Sequence, residues 1–325
     1  MTTIALIEAA AERLAPVVRQ TPLLSSDLLD EIAGRRVLVK AECLQHTGSF
    51  KFRGAWSFLS AMDPAARAQG VIAYSSGNHA QGVARAARLF GAPAVIVMPS
   101  DAPALKIANT RAFGAEVVLH DRLAEDREAI GARLAAERGL TLVRPYDDPF
   151  VIAGQGTAGL EIARQAAEAG AHKAQVLVCC GGGGLTSGIA VALAQRAPGL
   201  TVRPVEPACF DDVARSLASG RRERNAVATG SICDAVLTPS PGELTFPLLW
   251  AHCGPGLTVT DEEALQAMAL AFAHLKLVLE PGGALSLAAA LFRRDQIEGD
   301  SVVVVASGGN VDAGMFARAL ESRKT

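Results

Sequence analysis

The sequence predicts an α/β fold, because short β-branched runs alternate with amphipathic helical stretches along its 325 residues. Residues 80–90, 122–138 and 185–196 are examples of the stretches with helical periodicity. This alternation is typical of parallel strands joined by crossover helices. The strands are predicted at residues 37–39, 71–74, 94–97, 116–119, 176–178, 202–205 and 302–305.

The length of the chain predicts one large domain with a smaller companion, because single hydrophobic cores stop growing at roughly 250–300 residues. Continuity is weakest near residues 69–70 and 145–149, where glycine, proline and aspartate interrupt the pattern. We therefore expect a small domain, residues 70–147, inserted into a large domain made of residues 1–69 and 148–325.

The composition of the chain argues against two classes of binding partner. The net charge is -2, so the chain has no excess positive field for nucleic acid or an anionic membrane. No signal peptide or membrane span is expected at the N-terminus. The six cysteines show no C-x-x-C spacing, which favours reduced thiols and a cytoplasmic location.

Lys51 is the first candidate site residue along the chain. Only six of the 31 basic residues are lysine, so surface positions are mostly filled with arginine, which cannot bond an aldehyde. The flanks Ser49-Phe50 and Phe52 indicate a partly buried amine, which makes a functional lysine about as well supported as a solvated surface lysine. A buried amine of this kind can act as a nucleophile.

The run Gly181–Gly184 follows the strand predicted at 176–178 and begins a helix. Backbone N–H groups at a helix start bind phosphate, whereas a plain loop of four glycines would have a large entropic cost. A phosphate site together with a nucleophilic lysine is what a pyridoxal phosphate enzyme requires. The pattern G-x-G-x-x-G does occur at 154–159, but no acidic residue follows about 20 positions later, so we interpret it as a chance match and not as a dinucleotide site.

Two further polar loops follow predicted strands, the sequence 75–79 after strand 71–74 and the sequence 307–310 after strand 302–305. The first can offer backbone donors to a carboxylate, or its side chains can simply cap the next helix. Ligands of open α/β sheets bind beyond the carboxyl ends of strands, where both loops lie.

Three carboxylates, Glu206, Asp211 and Asp212, follow the strand predicted at 202–205. Oxygen ligands suit Mg²⁺, Ca²⁺ or a monovalent ion. A solvated loop with a helix-capping aspartate is equally consistent with this spacing.

Taken together, these residues resemble the fold-type II pyridoxal phosphate enzymes of the threonine/serine dehydratase and serine racemase group. The resemblance extends from residues 19–23 to residues 307–312. It implies a tryptophan synthase β-like fold with two open, twisted, parallel-rich sheets flanked by helices, and a homodimer. The matching motifs are Ser49–Ala55, Ser75–His79, Val151–Thr157, Gly181–Gly184 and Leu279–Ala284.

The resemblance implies a role for each matching residue. Lys51 would bond the cofactor aldehyde, Phe50 would line the ring, Asn78 would bond the ring hydroxyl and Ser307 the ring nitrogen. The phosphate would be held by Gly181, Gly182, Gly183, Gly184 and Leu185. The substrate carboxylate would be held by Ser75, Ser76, Gly77, Asn78 and His79, with Ser76 a second catalytic residue opposite Lys51. Glu206, the carbonyl of Phe210, and Asp212 would hold a divalent cation, Mg²⁺ or Ca²⁺.

The resemblance also implies the activity, a dehydratase that acts on small L-β-hydroxy amino acids, with L-threonine and L-serine expected first. Tyr146 is a departure from the racemases and favours the dehydratases, and no regulatory domain is expected after Thr325. The alternatives are a β-hydroxyaspartate dehydratase, which needs another cation from Arg127, Arg133 or Arg144, a serine racemase using Ser76, and a non-catalytic ligand-binding relative.

Overall fold

The computed structural model describes residues 2–75, 77–102, 104–121 and 124–322 and contains two sheets. Neighbouring strands are parallel in both sheets, except for the β1–β2 pair, and this confirms the predicted parallel-rich α/β fold. The six-stranded sheet has the order β1 (Leu23–Leu24), β2 (Arg36–Lys40), β10 (Ser301–Val305), β7 (Ala174–Cys179), β8 (Leu200–Pro207), β9 (Leu257–Val259). The four-stranded sheet has the order β5 (Glu116–His120), β4 (Ala94–Pro99), β3 (Val71–Tyr74), β6 (Thr141–Leu142).

Helices connect and cover these strands. In chain order they are α1 (Ile4–Leu14), α2 (Asp27–Ala33), α3 (Lys51–Ala61), α4 (Pro64–Gln69), α5 (Asn78–Phe90), α6 (Ala104–Ala112), α7 (Arg127–Arg138), α8 (Pro149–Glu168), α9 (Gly184–Arg196), α10 (Asp212–Ser219), α11 (Thr245–His252), α12 (Asp261–Leu275), α13 (Pro281–Phe292) and α14 (Ala313–Glu321). In the described ranges, no helix is long and apolar enough to cross a membrane.

Every predicted strand is present, whereas β1, β6 and β9 were not predicted because two or three residues carry too little periodicity. The helix predicted at 122–138 begins only at Arg127. The Asp126 carboxylate accepts hydrogen bonds from the amides of Glu128 and Ala129, and this cap fixes the first turn.

The G-x-G-x-x-G match lies inside α8 and serves helix packing. A Cβ atom on Gly154 would lie 2.5 Å from the Arg53 carbonyl oxygen, and one on Gly156 would lie 2.9 Å from the Gly188 carbonyl oxygen. These contacts with α3 and α9 explain the glycines without a dinucleotide, so the interpretation of a chance match is confirmed.

Each sheet has its own hydrophobic core. Strands β7, β8 and β10 pack against α13, and residues such as Val176 and Val303 belong to the larger core. The four-stranded sheet packs against α5 and against Phe52 and Leu59 of α3. Helix α3 therefore lies beside the four-stranded sheet and places its first residue, Lys51, between the two sheets.

Candidate active site

A cavity of about 600 Å³ lies at the carboxyl ends of strands from both sheets. It is lined by Phe50, Lys51, Asn78, the loop Gly181–Gly184 and Ser307. Motifs that are more than 100 residues apart in the sequence therefore share one space. The Phe50 amide donates to the Ser307 carbonyl oxygen at 3.1 Å and joins the segment before Lys51 to the end of β10.

The Lys51 amine lines this cavity. Its Nζ donates to the Pro145 carbonyl oxygen at 2.7 Å and lies 5.2 Å from the centre of the Phe50 ring. Burial is the main effect on this amine and lowers its pKa to about 8. A lowered pKa makes the neutral, nucleophilic amine accessible near physiological pH.

The glycine loop between β7 and α9 presents free backbone donors. Gly183 adopts a φ of +94°, in the left-handed region, and no side chain caps α9. In the described parts of the chain, no residue accepts a hydrogen bond from the backbone N–H groups of Gly181 to Leu185. These donors, at the positive end of a helix, match the needs of a phosphate group.

Tyr146 explains why this loop cannot carry side chains. A Cβ atom on Gly182 would lie 2.3 Å from the Tyr146 ring, and one on Gly184 would lie 2.9 Å from the Tyr146 Cβ. The tyrosine therefore forms a wall of the cavity next to the loop.

The loop before α5 leads into the helix through Gly77, which occupies the N-cap position. Among the residues that the structure describes, no side chain accepts a hydrogen bond from the first turn of this helix. Ser75 Oγ instead accepts from the Gly77 amide at 3.2 Å. The uncapped amides at this helix start remain suited to a carboxylate. The predicted catalytic residue Ser76 lies outside the described residues.

His79 lies behind this loop as a neutral imidazole. Its Nε2 lies 2.9 Å from the Val143 carbonyl oxygen, and burial, followed by the charge of Lys51, lowers the pKa of His79 to about 3. The ring therefore does not act as a cationic carboxylate binder at neutral pH.

Glu280 is a site residue that the sequence reasoning missed. Its carboxyl group lines the cavity and accepts from Asn78 Nδ2 at 2.5 Å, while Asn310 Nδ2 donates to Asn78 Oδ1 at 2.7 Å. Burial raises the pKa of Glu280 to about 7. This chain of contacts fixes the amide of Asn78, and only the position of Glu280 inside the motif 279–284 pointed to it in the sequence.

Cys179 was also missed, because a cysteine that ends an apolar strand usually packs. It lines the cavity, and its Sγ lies 3.0 Å from Ser307 Oγ. The side chain of Ser307 thus has a partner from the neighbouring strand.

Several arginines lie around the cavity. Arg222 pairs with Glu243 at 3.2 Å, whereas Arg127 contacts the Tyr74 ring and Arg144 has no ion pair among the described residues. Arg133, a candidate from the sequence, does not line the cavity and pairs instead with Glu137 along α7.

The predicted cation ligands lie outside the cavity, at the end of β8. The Glu206 carboxylate accepts from the amides of Val213 at 2.9 Å and Ala214 at 2.7 Å, which begin α10. Asp212 is buried, and its Oδ2 has no hydrogen-bond partner. Among described residues, no cluster of three or more His, Cys, Asp or Glu side chains could hold a metal.

Comparison with known proteins agrees with this geometry. L-threo-3-hydroxyaspartate ammonia-lyase of Pseudomonas sp is 44% identical over 312 residues, covering 96% of each chain. Serine racemase of Schizosaccharomyces pombe is 38% identical, covering 97% of this chain and 96% of that protein. The crystal structure of a T.th. threonine deaminase superposes with a TM-score of 0.91 at 46% identity, covering 95% of this chain and 99% of the other.

The family described as pyridoxal-phosphate dependent enzyme matches residues 14–308, which is most of the chain. Its cofactor needs an amine for the aldehyde and donors for the phosphate, and the cavity holds Lys51 beside the free amides of the Gly181–Gly184 loop. The chain therefore belongs to the pyridoxal-phosphate-dependent enzymes.

Proposed function

We propose that this enzyme removes water from small L-β-hydroxy amino acids, with L-threonine and L-serine first, and releases a 2-oxo acid and ammonia. The observation that carries the proposal is a buried amine of lowered pKa in one cavity with two uncapped helix starts, one suited to a phosphate and the other to a carboxylate. A substrate panel with ammonia and oxo-acid detection tests it.

Bound pyridoxal phosphate supplies an electron sink for the Cα atom of the amino acid. Lys51 would hold the cofactor, and its amine would take the Cα proton once the substrate is bound. The amides of Gly181 to Leu185 hold the phosphate, and Ser307 offers a neutral hydroxyl to the ring nitrogen. The amides at the start of α5 would orient the substrate carboxylate. The Cα proton and the β-hydroxyl would leave together as water, and a second water would be taken up when the 2-oxo acid and ammonia are released.

The lowered pKa of Lys51 gives a test that needs no turnover. Acetylation of the apoprotein by acetic anhydride, followed by mass spectrometry, should show half-maximal reactivity of Lys51 near pH 8, because burial favours the neutral amine. An ordinary lysine, with a pKa of roughly 10.4, would still be gaining reactivity well above that pH. The exposed Lys173 provides the internal reference. A midpoint for Lys51 above about pH 10 would contradict the assignment.

A second candidate, dehydration of β-hydroxyaspartate, is favoured by the arginines. Arg127 and Arg144 both line the cavity and both lower the pKa of Tyr74, which burial and then the charge of Glu128 raise. Two guanidinium groups near one tyrosine can bind a second carboxylate. A relative that is 44% identical carries this activity in its name.

Arg144→Ala should therefore lower kcat/KM for L-threo-3-hydroxyaspartate by roughly 10- to 100-fold, the effect of losing one charge-assisted hydrogen bond. The kcat/KM for L-threonine should change less than about threefold, since its side chain has no charge to lose. Arg133→Ala is the matched control, because this arginine lies outside the cavity. Equal losses with both substrates would reject the role of Arg144.

Serine racemisation is the remaining enzymatic alternative, and it depends on Ser76 returning a proton from the opposite face. Chiral chromatography of the products would decide, since faster formation of D-serine than of pyruvate would replace the dehydratase assignment. Retention of Lys51 within the cavity argues against a non-catalytic relative.

We further propose that Glu206, Asp212 and the Phe210 carbonyl bind a divalent cation, with water as the remaining ligands, because the Asp212 oxygen is buried without a partner.

A homodimer is proposed and is tested by sedimentation. The free thiols support a cytoplasmic location. The division at residues 70–147 remains a prediction, supported by the four-stranded sheet, although its core also includes Phe52 and Leu59.

A further inference from the structure

Cys179 and Ser307 meet at the ends of two adjacent parallel strands. Cys179 is the last residue of β7, and Ser307 lies just beyond β10, which pairs with β7 in parallel register. Both residues are buried, at 5% and 4% exposure, and both line the cavity. The Sγ to Oγ distance is 3.0 Å. The contact is therefore part of the cavity wall, at a point where the larger hydrophobic core, to which Cys179 belongs, reaches the cavity.

The chemistry of the two groups sets the direction of this hydrogen bond. Burial raises the pKa of Cys179 to about 11, so the thiol keeps its hydrogen at neutral pH. Thiol sulfur is a weak acceptor, whereas a hydroxyl oxygen accepts well, so the thiol donates and Ser307 Oγ accepts. The Ser307 hydrogen then has no acceptor among the described residues, and an acceptor must come from the contents of the cavity.

We propose that Cys179 is a positioning residue that holds the Ser307 hydroxyl so that its hydrogen is donated to the ring nitrogen of pyridoxal phosphate. The proposal rests on the role of Ser307 in the proposed function. A nitrogen that accepts this hydrogen must carry a free lone pair, so the pair of residues selects the unprotonated ring. Hydrogen bonds in such a chain polarise one another, and the thiol thereby strengthens the donor that meets the cofactor.

The neighbouring thiol, on Cys180, provides a matched control for Cys179. Cys180 is equally buried, but its Sγ lies 3.6 Å from the Gly181 carbonyl oxygen and it packs with Val213 and Leu249. It does not line the cavity. Cys180→Ala therefore removes a buried thiol at the neighbouring position and leaves the contact with Ser307 unchanged.

The test is a double-mutant cycle read by cofactor affinity. Each apoprotein is dialysed against pyridoxal phosphate, and the dissociation constant is taken from the visible absorbance of the bound form. Cys179→Ala should weaken binding by roughly three- to tenfold, and Cys179→Ser, which restores a donor, should stay within about twofold of wild type. In a Ser307→Ala background, Cys179→Ala should have less than about a 1.5-fold effect. Cys180→Ala should bind as wild type does. Circular dichroism melts verify that each variant is folded.

The outcomes separate the two claims. If Ser307→Ala weakens binding and Cys179→Ala does not, the positioning role is wrong while the role of Ser307 stands. An equal effect of Cys179→Ala in both backgrounds means that the thiol only fills space, and it overturns the proposal. If Ser307→Ala itself leaves affinity unchanged, the role of Ser307 in the proposed function is wrong, and the role of Cys179 is wrong with it.

Discussion

Lys51→Ala should abolish the visible absorbance of bound pyridoxal phosphate and lower turnover by roughly 10³-fold or more, because the variant loses both the amine that bonds the aldehyde and the proposed base at Cα. Absorbance of the purified protein and release of ammonia from L-threonine or L-serine measure the two effects. Burial in the cavity favours the neutral form of this amine and lowers the pKa of Lys51 to about 8.

The matched control is Lys106→Ala. Lys106 also lines the cavity, but its amine is held by Asp234 at 3.2 Å. This variant should keep the visible absorbance, since Lys106 is not the amine that bonds the cofactor. Turnover of Lys51→Ala within tenfold of wild type, or loss of absorbance in Lys106→Ala alone, would show that Lys51 has been given the wrong role.

Local sequence was enough to find the residues whose chemistry is unusual for their neighbours. Lys51 stands out in an arginine-rich chain, and the glycines 181–184 stand out by their entropic cost. The parallel fold followed from periodicity, and it places the ends of β3, β7 and β10 at one cavity. The residues selected from the sequence meet in the structure because this strand order brings the three strand ends to the same cavity.

Local sequence could not show contacts between distant side chains. Glu280 becomes a cavity residue only because Asn78, about 200 residues earlier, meets it across the fold. Cys179 acquires a polar partner only when β7 and β10 lie side by side. The sequence alone does not distinguish Arg133 from Arg144 as the cation of the site. In the folded chain Arg133 pairs along α7, whereas Arg144 lines the cavity.

The acidic pair beside α10 lies outside the cavity, and its two carboxyl groups are buried close enough to affect each other's charge. Glu206 is 0% exposed and Asp212 is 1% exposed. Burial, with the neighbouring charge of Asp212, raises the pKa of Glu206 well above its usual range, and burial raises the pKa of Asp212 to about 6. The Arg215 guanidinium, whose charge lowers the pKa of Asp212, is paired with Asp211 at 2.8 Å. Two buried carboxyl groups without a cation destabilise a fold, and a bound divalent ion would reverse the effect.

Chelation with EDTA should therefore lower the melting temperature by about 5 °C, and added Mg²⁺ or Ca²⁺ should restore it, because a ligand held at about 100 times its Kd contributes about 2.7 kcal/mol. Asp212→Asn should lose this response. In the wild-type protein Asn225 Nδ2 donates to the Asp212 carboxylate at 2.6 Å, and the amide oxygen of the variant can still accept this hydrogen bond. Loss of the response to EDTA and Mg²⁺ would therefore reflect the lost charge and not a broken hydrogen bond. Asp211→Asn, at the partly exposed neighbouring carboxylate, should respond as wild type does. A wild-type protein that is indifferent to EDTA and Mg²⁺, or an Asp212→Asn variant that responds fully, would show that these carboxylates hold no cation.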